Sequence, residues 1–182
     1  MITFKDYFTE AKQVGILYHY TPIITAYQIV IGNKLGYSNI CFTRNKHFHR
    51  HYRSGINTEQ CRLVLDGDKL SENYKLKPHD YFFNDRHRYE IPHHGTYDEQ
   101  EEKITNGPIK ELNRYLIKIQ IFKSFLNYLL KYPNDNFYNS FNRKYYTVKK
   151  PEDVIKLFEA ACDCPVELIW SHLKHSIPKL NK

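Results

Sequence analysis

A compact apolar strand, Ile16-Leu17-Tyr18-His19-Tyr20, runs with no linker into a helix. Thr21-Pro22 supplies the cap and first-turn proline of that helix, Ile23, Ile24, Tyr27, Ile29 and Val30 its apolar positions, and Gly32-Asn33 its stop. A strand feeding a helix so directly commits the chain to a mixed α+β domain. The rest of the sequence continues the pattern. Residues 39–43 predict a second strand, and Cys61-Arg62-Leu63-Val64-Leu65 a third, ended by the turn signal Asp66-Gly67-Asp68. Residues 101–104 predict a short strand and 115–121 a long alternating one. Phe125, Leu126, Leu129 and Leu130 give helical spacing over 122–132, residues 144–148 suit a late strand, and residues 151–161 suit a capped terminal helix.

A chain of 182 residues is most simply one domain, large enough for a hydrophobic core but not for two ordinary ones. No apolar run approaches the ~18 residues that a membrane span needs, so a soluble protein with no membrane partner is expected. The formal charge of +7 favours anionic surroundings: nucleic acid, a dinucleotide or an acidic partner. Four cysteines without CxxC spacing fit free thiols in a reducing cytosol. Cys41 and Cys61 lie in apolar strand-like runs and read as buried small hydrophobes. Cys162-Asp163-Cys164 is too close in sequence for an easy disulfide and has no obvious ligand partner nearby.

Three further segments carry chemistry. In residues 1–11, Phe4, Tyr7, Phe8 and Ala11 fall at helical spacing, in a helix too short to be stable alone. Between residues 78 and 98, many aromatic and basic side chains with no clean period suit a binding lid or a loop packed by its aromatics. His47, His49 and His51 alternate, and His93-His94 offer a further ligand, yet Arg50 and Arg53 bring positive charge against a divalent ion. No metal is expected there. Lys46, Arg50 and Arg53 with interleaved aromatics suit phosphate and base contacts, or an exposed basic helix.

Taken in order, Leu17-Tyr18-His19-Tyr20-Thr21, Ile40-Cys41-Phe42-Thr43-Arg44-Asn45 and Glu99-Gln100-Glu101-Glu102-Lys103-Ile104 resemble the NAD-binding and catalytic strands of the ADP-ribosyltransferase fold. The resemblance covers roughly residues 15–121, and the Ser-Thr-Ser motif of many members is missing. It implies a split β-sheet pair with flanking helices and an NAD cleft, with NAD as a substrate. His19 would orient the ribose, Tyr20 or Tyr27 would stack on nicotinamide, and Thr21 would help through its hydroxyl. Thr43 would support the catalytic Glu, and Arg44 would meet the pyrophosphate. The catalytic carboxylate would be Glu102 or Glu101; strand period puts Glu99 and Glu101 on one side, Gln100 and Glu102 on the other. Glu102 is favoured because an apolar position, Ile104, follows two residues later.

Residues 1–11 resemble the capsid-targeting sequence of injected internal proteins in myovirus-type phages, with Glu10-Ala11 matching the cleaved bond and residues 12–182 forming the single transferase-like domain. That implies a virion-interior protein released into the host cytoplasm, where it would ADP-ribosylate a host protein or nucleic acid to counter defence or redirect host functions. A non-catalytic basic internal protein that binds and inhibits a host nuclease or nucleic acid, and an NAD glycohydrolase, are the alternatives.

Overall fold

The computed structural model describes residues 14–36, 40–44, 46, 60–78, 101–123, 126 and 150–170. In chain order they form β1 (Ile16–Thr21), α1 (Ile23–Ile31), β2 (Lys34–Leu35), β3 (Ile40–Thr43), β4 (Cys61–Asp66), α2 (Gly67–Ser71) and β5 (Leu76–Pro78). Then come β6 (Glu101–Ile104), β7 (Ile109–Lys110), a 3-10 turn at Leu112–Arg114, β8 (Leu116–Phe122), α3 (Pro151–Glu159) and β9 (Val166–Ile169). Seven strands join in one sheet in the order β5-β6-β3-β1-β4-β8-β9, while β2 and β7 make a separate antiparallel pair. Neighbours in the large sheet are antiparallel except β8 and β9, which run parallel. The protein is thus a mixed α+β molecule, mostly sheet with few helices. The segments expected to carry the targeting helix, the histidine run with Arg50 and Arg53, the 78–98 loop beyond Pro78 and the 144–148 strand lie outside the described residues, as does most of the 122–132 helix.

Alternation along the strands sorts the core. Leu17, His19 and Thr21 of β1 stand opposite Leu65, Leu63 and Cys61 of β4, which in turn carries Leu63 and Cys61 beside Ile119 and Ile121 of β8. This face is covered by helices. Ile23, Ala26, Tyr27 and Val30 of α1 and Val154 and Phe158 of α3 join the same buried cluster, with Tyr27 edge-on to Phe158 at 5.2 Å between centroids. Each fully buried side chain such as Leu63 or Phe158 contributes about 1.5–3 kcal/mol by leaving water.

Several local signals act as expected, and one does not. Gly32 caps α1, and Asn33 turns the chain in the left-handed region at φ 46°, which asparagine tolerates. Its Oδ1 and backbone O accept from Asn113 and Leu112 N–H at 2.9 and 3.2 Å, which ties α1 to the 3-10 turn. The expected Thr21 cap is absent. Thr21 completes β1, Pro22 is the N-cap without a side-chain bond, and the Ile23 N–H donates instead to Gln60 Oε1 at 2.9 Å. A helix N–H left bare in the interior costs more than this bond gains, so a distant amide serves it.

The turn signal after β4 opens a short helix. Asp66 accepts from the Lys69 N–H at 3.0 Å, and Asp68 accepts from Val14 and Gly15 N–H at 2.6 and 3.0 Å, fixing the approach to β1. Gly67 N–H donates to the Gly15 carbonyl at 2.8 Å. A Cβ on Gly67 would stand 2.4 Å from that oxygen, so this contact admits only glycine.

Candidate functional site

The two flanks of β1 are unequal. Six consecutive residues pair with β4, from Ile16↔Asp66 to Thr21↔Cys61, whereas among the described residues Tyr18↔Thr43 is the one pair that joins β1 to β3. Beyond it, a side chain takes over from the ladder. The Cys41 carbonyl lies 3.0 Å from His19 Nδ1. A carbonyl only accepts, so Nδ1 carries the proton and donates, and in the neutral ring Nε2 is left with an acceptor lone pair. Burial holds the imidazole below its ordinary pKa, against a smaller upward pull from the Cys41 carbonyl, so the neutral tautomer is the one favoured.

His19 shares its face with Phe42, whose ring lies 5.8 Å away at 60°. Phe42 is paired in turn with Glu102 on β6, and Ile40 with Ile104. The row Glu102-Phe42-His19-Leu63 therefore crosses four adjacent strands on one face of the sheet. Two interstrand steps separate the Glu102 and His19 backbones, about 10 Å at ~4.8 Å per step. The next row, Glu101-Thr43-Tyr18-Val64, belongs to the opposite face.

This register brings together some of the residues expected to form a site and separates others. His19, Thr21 and Glu102 fall on one face; Tyr20, Thr43 and Glu101 fall on the other. Thr43 is buried and pairs in register with Glu101. Thr21 is buried, and its carbonyl accepts from Cys61 Sγ at 3.3 Å. Tyr27 is a core residue against Phe158. Arg44 is half-buried directly after β3. Cys61 is buried as expected, and burial pushes its thiol well up, while Cys41 is half-buried.

The opposite face holds a polar network centred on Arg62, which the sequence reading passed over. Arg62 is only 4% exposed. Its Nε donates to Gln120 Oε1 at 2.7 Å and its Nη1 to Tyr20 Oη at 3.0 Å; Nη1 also bonds the Lys46 carbonyl, which accepts from Tyr20 Oη at 2.7 Å. The guanidinium stands 5.1, 5.8 and 5.6 Å from the ring centroids of Tyr18, Tyr20 and Phe122. Gln120 Nε2 then donates to Glu167 Oε2 at 2.7 Å, and Lys118 Nζ meets the other oxygen at 3.1 Å. Those two bonds, the Gln120 one first, hold the Glu167 carboxyl below its usual range. The buried cation is thus connected to a carboxylate through an amide, and Tyr20 and Arg62 together anchor the chain at Lys46. A lone arginine inside Cys61-Arg62-Leu63-Val64-Leu65 is the signal that could have found it.

Among the described residues, no three His, Cys, Asp or Glu side chains converge as metal ligands, and no helix is long and apolar enough to cross a membrane. No family model matches the chain, and neither curated proteins nor solved structures yield a match.

Proposed function

We propose that this protein cleaves NAD as an ADP-ribosyltransferase, with the dinucleotide bound at the seam where β1 meets β3 within the seven-stranded sheet. One observation carries the reading: the neutral His19, pinned through Nδ1, offers an Nε2 acceptor on the same face and two strands from the position of Glu102. A ribose hydroxyl donates to that Nε2. The Glu102 carboxylate holds the 2′-hydroxyl and stabilises the oxocarbenium character that builds as the nicotinamide bond breaks. An acceptor nucleophile then bonds to the anomeric carbon and gives up its proton, and nicotinamide leaves with the bonding pair. Arg44, following β3, neutralises the pyrophosphate.

The acceptor is a host protein or nucleic acid, and the setting is delivery from a phage virion interior to the host cytoplasm. The chain's +7 charge and the Lys46, Arg50 and Arg53 cluster suit an anionic acceptor or cofactor. Incubation with adenylate-labelled NAD and host lysate should label a macromolecule. Release of free ADP-ribose alone would make the protein a glycohydrolase, with water as acceptor; intact NAD would overturn both. For delivery, virions should contain a form that begins at Ala11, and finding only the intact chain, or none, would count against it.

One observation favours a second reading. Thr43 falls in the register row of Glu101 and Tyr18 and not in that of His19 and Glu102. A basic internal protein with this fold and no catalysis, binding nucleic acid or a host nuclease, fits that separation. Intact NAD together with retention of host nucleic acid or nuclease would select it.

A further inference from the structure

The link between α3 and β9 brings two thiols together. Cys162 Sγ and Cys164 Sγ are 2.9 Å apart, although the Cys162-Asp163-Cys164 spacing argued against a bridge. Both residues are half-buried, so small reagents reach them, in contrast to Cys61, which is wholly buried. The Cys162 thiol donates weakly to the Phe158 carbonyl at 3.4 Å and lies 3.7 Å from the Cys164 carbonyl. Losing those contacts costs little, because the Phe158 carbonyl still accepts from Ala161 and Cys162 N–H at 2.9 and 3.0 Å. The end of α3 stays capped whether the sulfurs are thiols or not.

We propose that Cys162 and Cys164 are a redox modification site, forming a reversible intrachain disulfide when the protein meets a low-molecular-weight disulfide such as oxidised glutathione. One cysteine thiolate attacks a sulfur of the oxidant; the S–S bond of the oxidant breaks, and the first small thiolate leaves and takes up a proton. The second cysteine thiolate attacks the mixed disulfide at the protein sulfur. The intrachain bond forms, and the second small thiolate leaves and is protonated. Two protein thiols are oxidised and one small disulfide is reduced to two thiols. Closing from 2.9 Å to the ~2.05 Å of a disulfide is a small movement.

Burial and the Cys162 sulfur hold the Cys164 thiol well above its ordinary pKa, so the pair reacts as a latch and not as a fast catalytic thiol. The latch precedes β9, whose Glu167 ends the Arg62-Gln120 network, so the thiol state bears on the alignment of that edge strand.

The test is intact-mass and peptide mapping of the full chain after exposure to oxidised glutathione. The wild type should give a Cys162–Cys164 crosslinked peptide, two hydrogens lighter than the dithiol and free of glutathione, that dithiothreitol reverses, whatever Cys41 carries. Cys162→Ser and Cys164→Ser should each trap a glutathione adduct on the remaining thiol of the pair, because no resolving sulfur is left beside it. A wild type that accumulates the adduct on Cys162 or Cys164, a pair that reacts only after denaturation, or a soft thiophilic metal copurifying on it would each overturn the proposal. None of these readouts uses NAD, so the result is independent of the proposed activity.

Discussion

The two flanks of β1 divide the labour of the sheet. Towards β4 the strand is paired along its whole length, and its side chains on the helix-covered side face Leu63 and Leu65. Towards β3, Tyr18 makes the one pair among the described residues, and the His19 imidazole bonds the Cys41 carbonyl. The fully paired flank has no backbone group to spare. The thinly paired one leaves a polar side chain half-buried and a ring nitrogen as an acceptor, and such a seam is where chemistry can be hosted without dismantling the ladder. Substitutions at the seam should therefore alter activity, and substitutions around the Arg62 network should alter stability.

The sharpest break would come from Glu102→Gln, which should lower NAD cleavage on the order of 10²-fold or more with thermal stability little changed; nicotinamide release reports the first and a melting curve the second. Glu101→Gln should do less, since its register row includes Thr43 and Tyr18 and not His19. A reversed ranking would move the site to the other face. Arg62→Ala should leave cleavage by the folded protein intact but cost about 3 kcal/mol in chemical denaturation, because it unties Gln120, Tyr20 and the Lys46 carbonyl. An activity loss at constant stability would place Arg62 with the seam instead.

Tyr20→Phe makes the same contrast at smaller scale. Removing the hydroxyl deletes its donation to Lys46 and its acceptance from Arg62, at about 1 kcal/mol. The KM for NAD should stay put, and a several-fold rise would return Tyr20 to the cofactor. The smallest effect concerns pH. His19 has a folded pKa below its unfolded value, so the unfolded chain binds the extra proton first as acidity increases. Stability from the neutral ring is complete above the unfolded value of about 6.5 and is lost as pH falls below it towards the folded value. His19→Gln should flatten the fall in melting temperature over that window, and an unchanged slope would show that another group titrates there.

Local signals were legible and distant bonds were not. The run at residues 101–104 reads as a strand from sequence and is one, and Gly32-Asn33 ends α1 where the spacing puts it. Strand ends drift by a residue: β8 was expected over residues 115–121 and spans Leu116–Phe122. What escaped was set by partners far along the chain. Arg62 finds Gln120 across 58 residues, Gln120 finds Glu167 across 47, and Gln60 caps α1 from 37 away, none of which leaves a periodic trace. β9 was missed as well; it pairs with β8, 47 residues earlier at Ile119↔Val166. The facing of Thr43 away from His19 needed the pairing between β1 and β3, which no single segment encodes.

The place of β1 in the sheet also sets a timetable. It is the middle strand of seven, yet it leaves the ribosome before either of its neighbours. Between the end of β1 at Thr21 and the start of β4 at Cys61 lie forty steps of chain, about 2–8 s of synthesis at ~5–20 residues per second. Both edges of the strand are bare until β3 follows at Ile40, and the edge towards β4 stays bare to the end of that interval, the condition under which chains associate with one another. Tyr18, His19, Tyr20 and Thr21 make it a poor template for such association, since four of its six side chains carry a polar atom. The residues that give the seam its chemistry in the finished molecule thus also keep its central strand solvated while it waits.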